Sequence, residues 1–256
     1  MKATSIPNHE KTFFKTGRDS DGKEFTLTKK AVPIKGSDQM MPYIHCRPKN
    51  GDASFYYHEK NTKTQIVLHF TVGYLKGDIA ALSRNNVHIS TPFVIARSGE
   101  IINLWSSAYW SYHLGKAAIG GNTNGSKRTI AIEMSNIGFL KRIGDKLVTV
   151  YSDNDVYCTI NDTQLYTKLD MPYRGEYYFA TYTAKQYKSL IGLLRYLTAE
   201  YNIPMEFLPE NKRYDVVAEE ELVNFKGITS HVNYRSSGKW DIGAAFDWKK
   251  IIEGLR

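Results

Sequence analysis

The sequence predicts an α/β fold, a single domain built on a central mixed β-sheet flanked by helices. Three observations carry this expectation. Two short apolar runs, Gln65-Ile66-Val67-Leu68-His69-Phe70 and Thr129-Ile130-Ala131-Ile132-Glu133-Met134, have the make-up of buried strands. A stretch opening on a Thr183/Gln186 capping box puts Tyr187, Leu190, Ile191, Leu194, Leu197 and Tyr201 on one helical face. Strand-like and helix-like segments interleave along the chain, the pattern of layered α/β architectures.

Taken in order, residues 1–60 are irregular, with aromatic clusters (Phe13-Phe14, Phe55-Tyr56-Tyr57) among Lys, Gly, Pro and Asp and no sustained period. They read as an extension packed onto a domain spanning 61–256, with a few short strands. After the run at 65–70, Asp78 is placed to cap a short helix through Ala80, Ala81 and Leu82. Pro92 to Arg97, then Ser98-Gly99, then Glu100 to Leu104 reads as a hairpin. Gly120-Gly121-Asn122-Thr123-Asn124-Gly125-Ser126-Lys127 resembles a phosphate loop, but that motif needs Lys before Ser and a helix after it. A strand follows here, so the segment is expected to be a connecting loop. The polar, Tyr-rich segment from about 138 to 178 has no clear period and reads as an insert. A second, shorter helix is expected from Ala245 to Leu255.

Composition narrows the function. The chain has 256 residues with 34 Lys plus Arg and 26 Asp plus Glu, and 34 − 26 gives a net charge of +8. At 42% hydrophobic and 23% charged it reads as globular rather than disordered. Two cysteines, Cys46 and Cys158, rule out a disulfide-dense scaffold and a four-thiolate zinc site. The longest stretch free of Lys, Arg, Asp and Glu, Ile101–Gly115, is shorter than the about 20 apolar residues a membrane span needs. The N-terminal MKATSIPNHEKTFFKTGRD lacks the apolar core of a signal peptide, so synthesis in the cytoplasm is expected, with action on a wall only after release or export by another factor. A basic balance suits nucleic acid, a membrane surface or a polyanionic wall. The cations are scattered, and no reading helix, stacking motif or zinc knuckle supports nucleic acid.

Of the seven histidines, His9, His45, His58 and His88 lie in polar or loop-like stretches. His69 instead interrupts an apolar strand, where a period of two sets it beside Val67 and Thr71 and opposite Ile66, Leu68 and Phe70. Glu133 likewise shares a face with Ala131, opposite Ile130, Ile132 and Met134. Two neighbouring strands can thus each project one ionisable group from the same side of a sheet, where a buried carboxylate must be paired or used. A third segment, Ser230-His231-Val232-Asn233-Tyr234-Arg235-Ser236-Ser237-Gly238-Lys239-Trp240-Asp241, can fold Asp241 back toward His231, with Lys239 and Asp241 pointing the same way if extended. Two imidazoles and one carboxylate suit zinc and leave its fourth position open, the catalytic rather than the structural arrangement.

The strings IVLHFT, FVIARSGEI, SYHLGK, IAIEMSN and SHVNYRSSGKWDIGAAFDW occur in the order found in the type 2 N-acetylmuramoyl-L-alanine amidases, and the chain resembles that family from about residue 64 to 256, less the insert. The family includes amidase-type phage lysozymes, muropeptide-recycling amidases and the peptidoglycan recognition proteins. The resemblance implies one Zn2+ per chain on His69, His231 and Asp241. It also implies Glu133 beside the attacking water and Lys239 facing the developing oxyanion. His113 corresponds to a histidine near the substrate, with Trp110 and Asn136 as wall residues. The implied fold is the family's mixed sheet with a groove over the metal.

The implied reaction is hydrolysis of the amide between N-acetylmuramic acid and L-alanine, most in keeping with a wall-lytic enzyme of endolysin or effector type. The implied partner is peptidoglycan or muropeptide, without nucleic acid or stable membrane insertion. The rival readings are a binding module that holds muropeptide without cleaving it and a cytosolic amidase of soluble muropeptides. This chain departs from the family pattern at Phe70, where many members have a second histidine. It departs again at Pro92, and at Ile242, where an Asp-Pro-Gly string would have proline.

Overall fold

The computed structural model describes residues 2–256. The chain opens with helix α1 (Lys2–Thr16) and the hairpin β1 (Phe25–Pro33) and β2 (Met40–Pro48). Then come β3 (Gln65–Phe70), α2 (Leu75–Leu82), β4 (Phe93–Ile95), β5 (Ile101–Asn103), α3 (Asn122–Arg128) and β6 (Thr129–Met134). Five further strands follow: β7 (Phe139–Ile143), β8 (Lys146–Val148), β9 (Val156–Thr159), β10 (Tyr166–Tyr173) and β11 (Glu176–Ala180). The chain closes with α4 (Ala184–Tyr201), α5 (Glu219–Asn224), β12 (Gly227–Ser230) and α6 (Trp248–Leu255).

Seven strands form the central sheet in the order β1-β2-β5-β4-β6-β3-β12. It is mixed, as expected: β12, β3, β6 and β4 run parallel, while β4/β5 and β1/β2 are antiparallel. Strand β3 lies between β6 and the edge strand β12, and all six of its residues are buried, which only a strand covered on both faces can satisfy. One face sets Ile66, Leu68 and Phe70 beside Ile130, Ile132 and Met134 and packs them under Leu190, Leu193, Leu194 and Leu197 of α4. Each such leucine contributes about 1.5–3 kcal/mol relative to exposure. The Thr183/Gln186 capping box forms as the sequence indicates, and Asn202 ends the helix in the left-handed conformation. The opposite face carries Val67, packed with Leu114 and Tyr234, and beyond it His69 and Glu133. The layer that makes the core therefore leaves the other side of the same two strands for chemistry.

Residues 1–60 are more regular than their sequence suggests. Helix α1 buries Ala3, Ile6, Glu10 and Phe13. Its stripe is hidden in the sequence because one of those positions is a glutamate, and that carboxylate is fully used. Glu10 accepts hydrogen bonds from the Arg97 and Ser98 amides at 2.7 and 2.9 Å, clasping the β4–β5 turn. The β1–β2 hairpin extends the central sheet through a parallel pairing of β2 with β5.

The segment read as an aperiodic insert forms a second, five-stranded antiparallel sheet in the order β10-β11-β7-β8-β9. Its apolar face, with Leu140, Leu147 and Tyr157, buries Ala3 and Ile6 of α1. Two other expectations are corrected. Asp78 does not cap α2. The cap position is Tyr74, and Asp78 lies inside the helix, accepting a hydrogen bond from Ser135 Oγ at 2.5 Å. The stretch expected as a loop around residue 125 contains α3, a helix with little intrinsic propensity for one. Contacts hold it: Gly125 lies against Leu114, and Ser126 Oγ donates to Asn122 Oδ1 at 3.2 Å. The C-terminal helix begins at Trp248, later than Ala245, because Asp247 caps it by accepting from Lys250 N at 3.0 Å.

Candidate metal centre

Three elements deliver the cluster. His69 lies near the end of β3 and is the direct register partner of Glu133 on β6. Strand β12 runs parallel to β3 with Ser230 opposite Leu68, so the next residue, His231, arrives beside His69. There the chain turns sharply: Ser230 N donates to Asn233 Oδ1 at 2.8 Å, and the short helical turn His231–Tyr234 follows. The loop beyond returns Asp241 to the same point, and Val232 N donates to the Asp241 carbonyl at 2.8 Å. Ile242, where the sequence departs from the Asp-Pro-Gly pattern, is 1% exposed, and its carbonyl accepts from Tyr182 Oη at 3.1 Å. Packing and that hydrogen bond hold the turn.

His69 Nδ1 lies 2.9 Å from His231 Nδ1 and 3.1 Å from Asp241 Oδ2, and His231 Nδ1 lies 2.8 Å from the same oxygen. All three residues are buried. His231 Nε2 donates to the Leu114 carbonyl at 2.9 Å, which turns its Nδ1 toward the carboxylate. Two ring nitrogens and a carboxylate oxygen crowded this closely call for a positive charge among them, and this is the donor set of a three-ligand zinc site. Burial, then the neighbouring His231, lowers the His69 pKa to about 4, so its ring is neutral at pH 7, as a ligand must be. Burial alone would raise Asp241, but the two histidines outweigh it and hold the carboxyl well below its ordinary range. The residues present fit a divalent metal.

A cavity of about 380 Å³ opens over this cluster, lined among others by Glu133, His113 and Lys239. Glu133 Oε2 is buried, and no hydrogen-bond partner for it exists among the described residues. Burial raises the Glu133 pKa well above the ordinary value, Asp241 and Asp78 add to the rise, and Lys239 opposes it. A carboxyl held in its protonated form more readily than usual, at the edge of a cavity, is suited to exchanging a proton with a group bound there.

His113 lines the cavity and also touches a ligand candidate: its Nδ1 is 3.1 Å from His69 Nε2. Trp110 and Asn136, expected from the family resemblance as wall residues, do not line this cavity. Trp110 is buried elsewhere, stacked on Tyr57 at 4.2 Å, with its Nε1 donating to Glu59 at 2.9 Å. Asn136 braces the start of the second sheet, donating to the Ala180 carbonyl at 3.2 Å and accepting from Gly138 N at 2.8 Å. The wall is built instead by residues the sequence reading did not single out, including Thr71, Tyr112, Phe139, Val150 and Trp240. Phe139 and Val150 belong to the insert, and the Phe139 ring packs on Trp240 at 4.8 Å.

Residues 59–244 match a family model described as N-acetylmuramoyl-L-alanine amidase. One similar solved structure is a complex of the N-acetylmuramyl-L-alanine amidase AmiD from E. coli with the substrate anhydro-N-acetylmuramic acid-L-Ala-D-gamma-Glu-L-Lys. It is 17% identical with a TM-score of 0.51, and the match covers 88% of this chain and 65% of that one, just under two thirds of its length. PlyL is 14% identical with a TM-score of 0.47, over 83% of this chain and 95% of that one. AmpDh3 from Pseudomonas aeruginosa is 17% identical with a TM-score of 0.46, over 77% and 61%. At such identities the likeness is one of fold. No curated protein matches the sequence.

Proposed function

The chain belongs to the N-acetylmuramoyl-L-alanine amidase family, and from that premise we propose that it hydrolyses the amide joining the lactyl group of N-acetylmuramic acid to L-alanine, with one zinc ion held by His69, His231 and Asp241. The observation that carries the reading is the convergence of those three side chains in one cavity with Glu133, whose Oε2 is buried without a hydrogen-bond partner. A bound Zn2+ supplies Lewis acidity there, bringing the pKa of water toward about 7 and polarising the scissile carbonyl. Glu133 accepts the proton of the attacking water and returns it to the leaving amine of L-alanine, which its raised pKa suits. Lys239, on the same cavity wall, faces the oxygen that gains charge, a contribution of about 3 kcal/mol for one well-placed donor. His113 takes part through His69 and the cavity wall, whereas Trp110 and Asn136 are given no role in turnover.

The substrate we favour is the intact wall, as for an endolysin or a secreted effector. The net charge of +8 supports this reading, because a polyanionic wall attracts such a protein. A second cavity, of about 440 Å³ and distant in sequence from the metal ligands, adds Lys29, Lys30, Lys185 and Lys188 to that support. No helix among the described residues is long and apolar enough to cross a membrane.

The experiment is release of stem peptide from purified sacculi and from soluble muropeptide, with and without chelator. Chelation abolishes turnover and zinc restores it. Activity untouched by chelator removes the metal from the reaction, and zinc binding without peptide release turns the reading into a binding module. Faster turnover of soluble muropeptide than of sacculi assigns the enzyme to muropeptide processing.

A further inference from the structure

We propose that Thr129 and His113 are positioning residues that fix the tautomer of His69, so that this ring offers Nδ1 to the metal centre. The inference rests on the reading of His69 as a ligand. It follows from three contacts whose direction is set at the far end. Thr129 Oγ1 lies 2.8 Å from the Gly125 carbonyl oxygen. A carbonyl only accepts and a hydroxyl has one proton, so that proton points at Gly125 and Thr129 Oγ1 is left with lone pairs. His113 Nε2 lies 2.8 Å from the same hydroxyl oxygen and must therefore be the donor. In a neutral ring Nδ1 is then the acceptor, and what faces it at 3.1 Å is His69 Nε2, which donates. With its hydrogen at Nε2, His69 turns a lone pair on Nδ1 toward His231 and Asp241.

One strand supplies both ends of this arrangement. Thr129 and Glu133 fall on the same face of β6 with Ala131 between them, opposite Gln65 and His69 of β3 respectively. A threonine that back-bonds to the carbonyl four residues earlier is common and by itself purely structural. That habit accounts for the contact with Gly125. It does not account for the remaining lone pair meeting an imidazole that itself meets a ligand candidate. His231 reaches the same end by a shorter route, since its Nε2 donates directly to the Leu114 carbonyl. Both rings thus present Nδ1, each held by a backbone carbonyl, one directly and one through two side chains.

The test uses the full chain in zinc-free form, with imidazole nitrogens read by 15N–1H NMR and zinc affinity read by competition with a chromogenic chelator. Wild type is expected to show the Nε2–H tautomer at both His113 and His69. Thr129→Val, which keeps the β-branched shape, is expected to lose the single tautomer at His113 and to bind zinc about 10–100-fold more weakly. Thr129→Ser restores both. A wild-type His113 protonated at Nδ1, or a folded Thr129→Val with unchanged zinc affinity, overturns the proposal. If Thr129→Val does not fold, the wild-type tautomers decide. Failure of the amidase reading is separate: the tautomers and zinc affinities would be as described while sacculi remain intact.

Discussion

His69 and Glu133 are register partners across the parallel β3/β6 ladder, so a metal-ligand candidate and a carboxyl without a partner stand side by side on one face of the sheet. The geometry follows from strand parity alone: the opposite parity of both strands is committed to the core under α4. Neither side chain can be moved without inverting an entire strand.

Glu133→Gln should lower turnover of sacculi by about 10²–10⁴-fold while zinc content stays at that of wild type. It should also stabilise the zinc-free protein, and the sign can be worked out. Folding raises the Glu133 pKa well above 4.5, so the native state binds a proton that the unfolded state has released wherever the pH lies between the two values. That costs stability above about pH 4.5 and nothing well below it. The variant's calorimetric midpoint, measured in chelator, should exceed that of wild type at pH 7, and the gap should close toward pH 4. A variant that melts below wild type at pH 7 contradicts the account of the buried carboxyl.

Asp241→Ala should leave the chain with well under one zinc by elemental analysis, because the remaining donors are two imidazoles without the anion that anchors the cation. Retention of full stoichiometry would move the metal elsewhere.

Lys239→Met keeps length and removes charge. Steady-state kinetics should show kcat reduced by about 10²–10³-fold with KM and zinc content near wild type, the signature of a group that acts on charge formed only in the transition state. A change confined to KM would make Lys239 a substrate anchor instead.

Much of this site can be read from the chain because each ligand candidate breaks a pattern. His69 and Glu133 interrupt apolar strands, and an interruption that is kept there has to be paired or used. What spacing cannot give is convergence: His231 reaches His69 through the parallel register of β12, a pairing between segments some 160 positions apart. The strands of the insert are not read from its aperiodic sequence, although local turn signals mark two of its hairpins. Gly144-Asp145 between β7 and β8, and Arg174-Gly175 with positive φ between β10 and β11, are two-residue hairpin turns visible in the sequence. Helix α1 was hidden because the stripe it buries includes Glu10, which is satisfied only by distant amides. Trp110 is expected at the wall only from the family resemblance, and its ring is already occupied by Tyr57 and by Lys127, whose Nζ lies 5.0 Å from the ring centre.

Trp110→Phe therefore discriminates between family resemblance and observed packing. It should leave kcat/KM on sacculi within about twofold. It should lower stability only slightly through the lost hydrogen bond to the exposed Glu59, read as a small shift in the denaturant midpoint. A large loss of activity with intact stability would place Trp110 against the substrate after all.

The insert should matter to catalysis through Arg174. This residue ends the β10–β11 strand pair, donates to the Lys239 carbonyl at 2.6 Å and lies 3.8 Å from Asp215, while Trp240 Nε1 donates to the Arg174 carbonyl at 3.3 Å. The second sheet thus grips the loop that carries both Lys239 and Asp241. Hydrogen bonds from a charged donor contribute about 1.5–3 kcal/mol, and about 1.4 kcal/mol is tenfold in rate. Arg174→Ala should lower kcat/KM by about 10–100-fold and speed proteolysis within Ser236–Gly238. Arg174 makes no contact with His69, His231 or Asp241 themselves, so zinc is expected still to bind. Arg174→Lys, which keeps the charge but not the guanidinium geometry, should recover only part of the rate. If Arg174→Ala turns over sacculi at the wild-type rate, the second sheet is packing for α1 and nothing more.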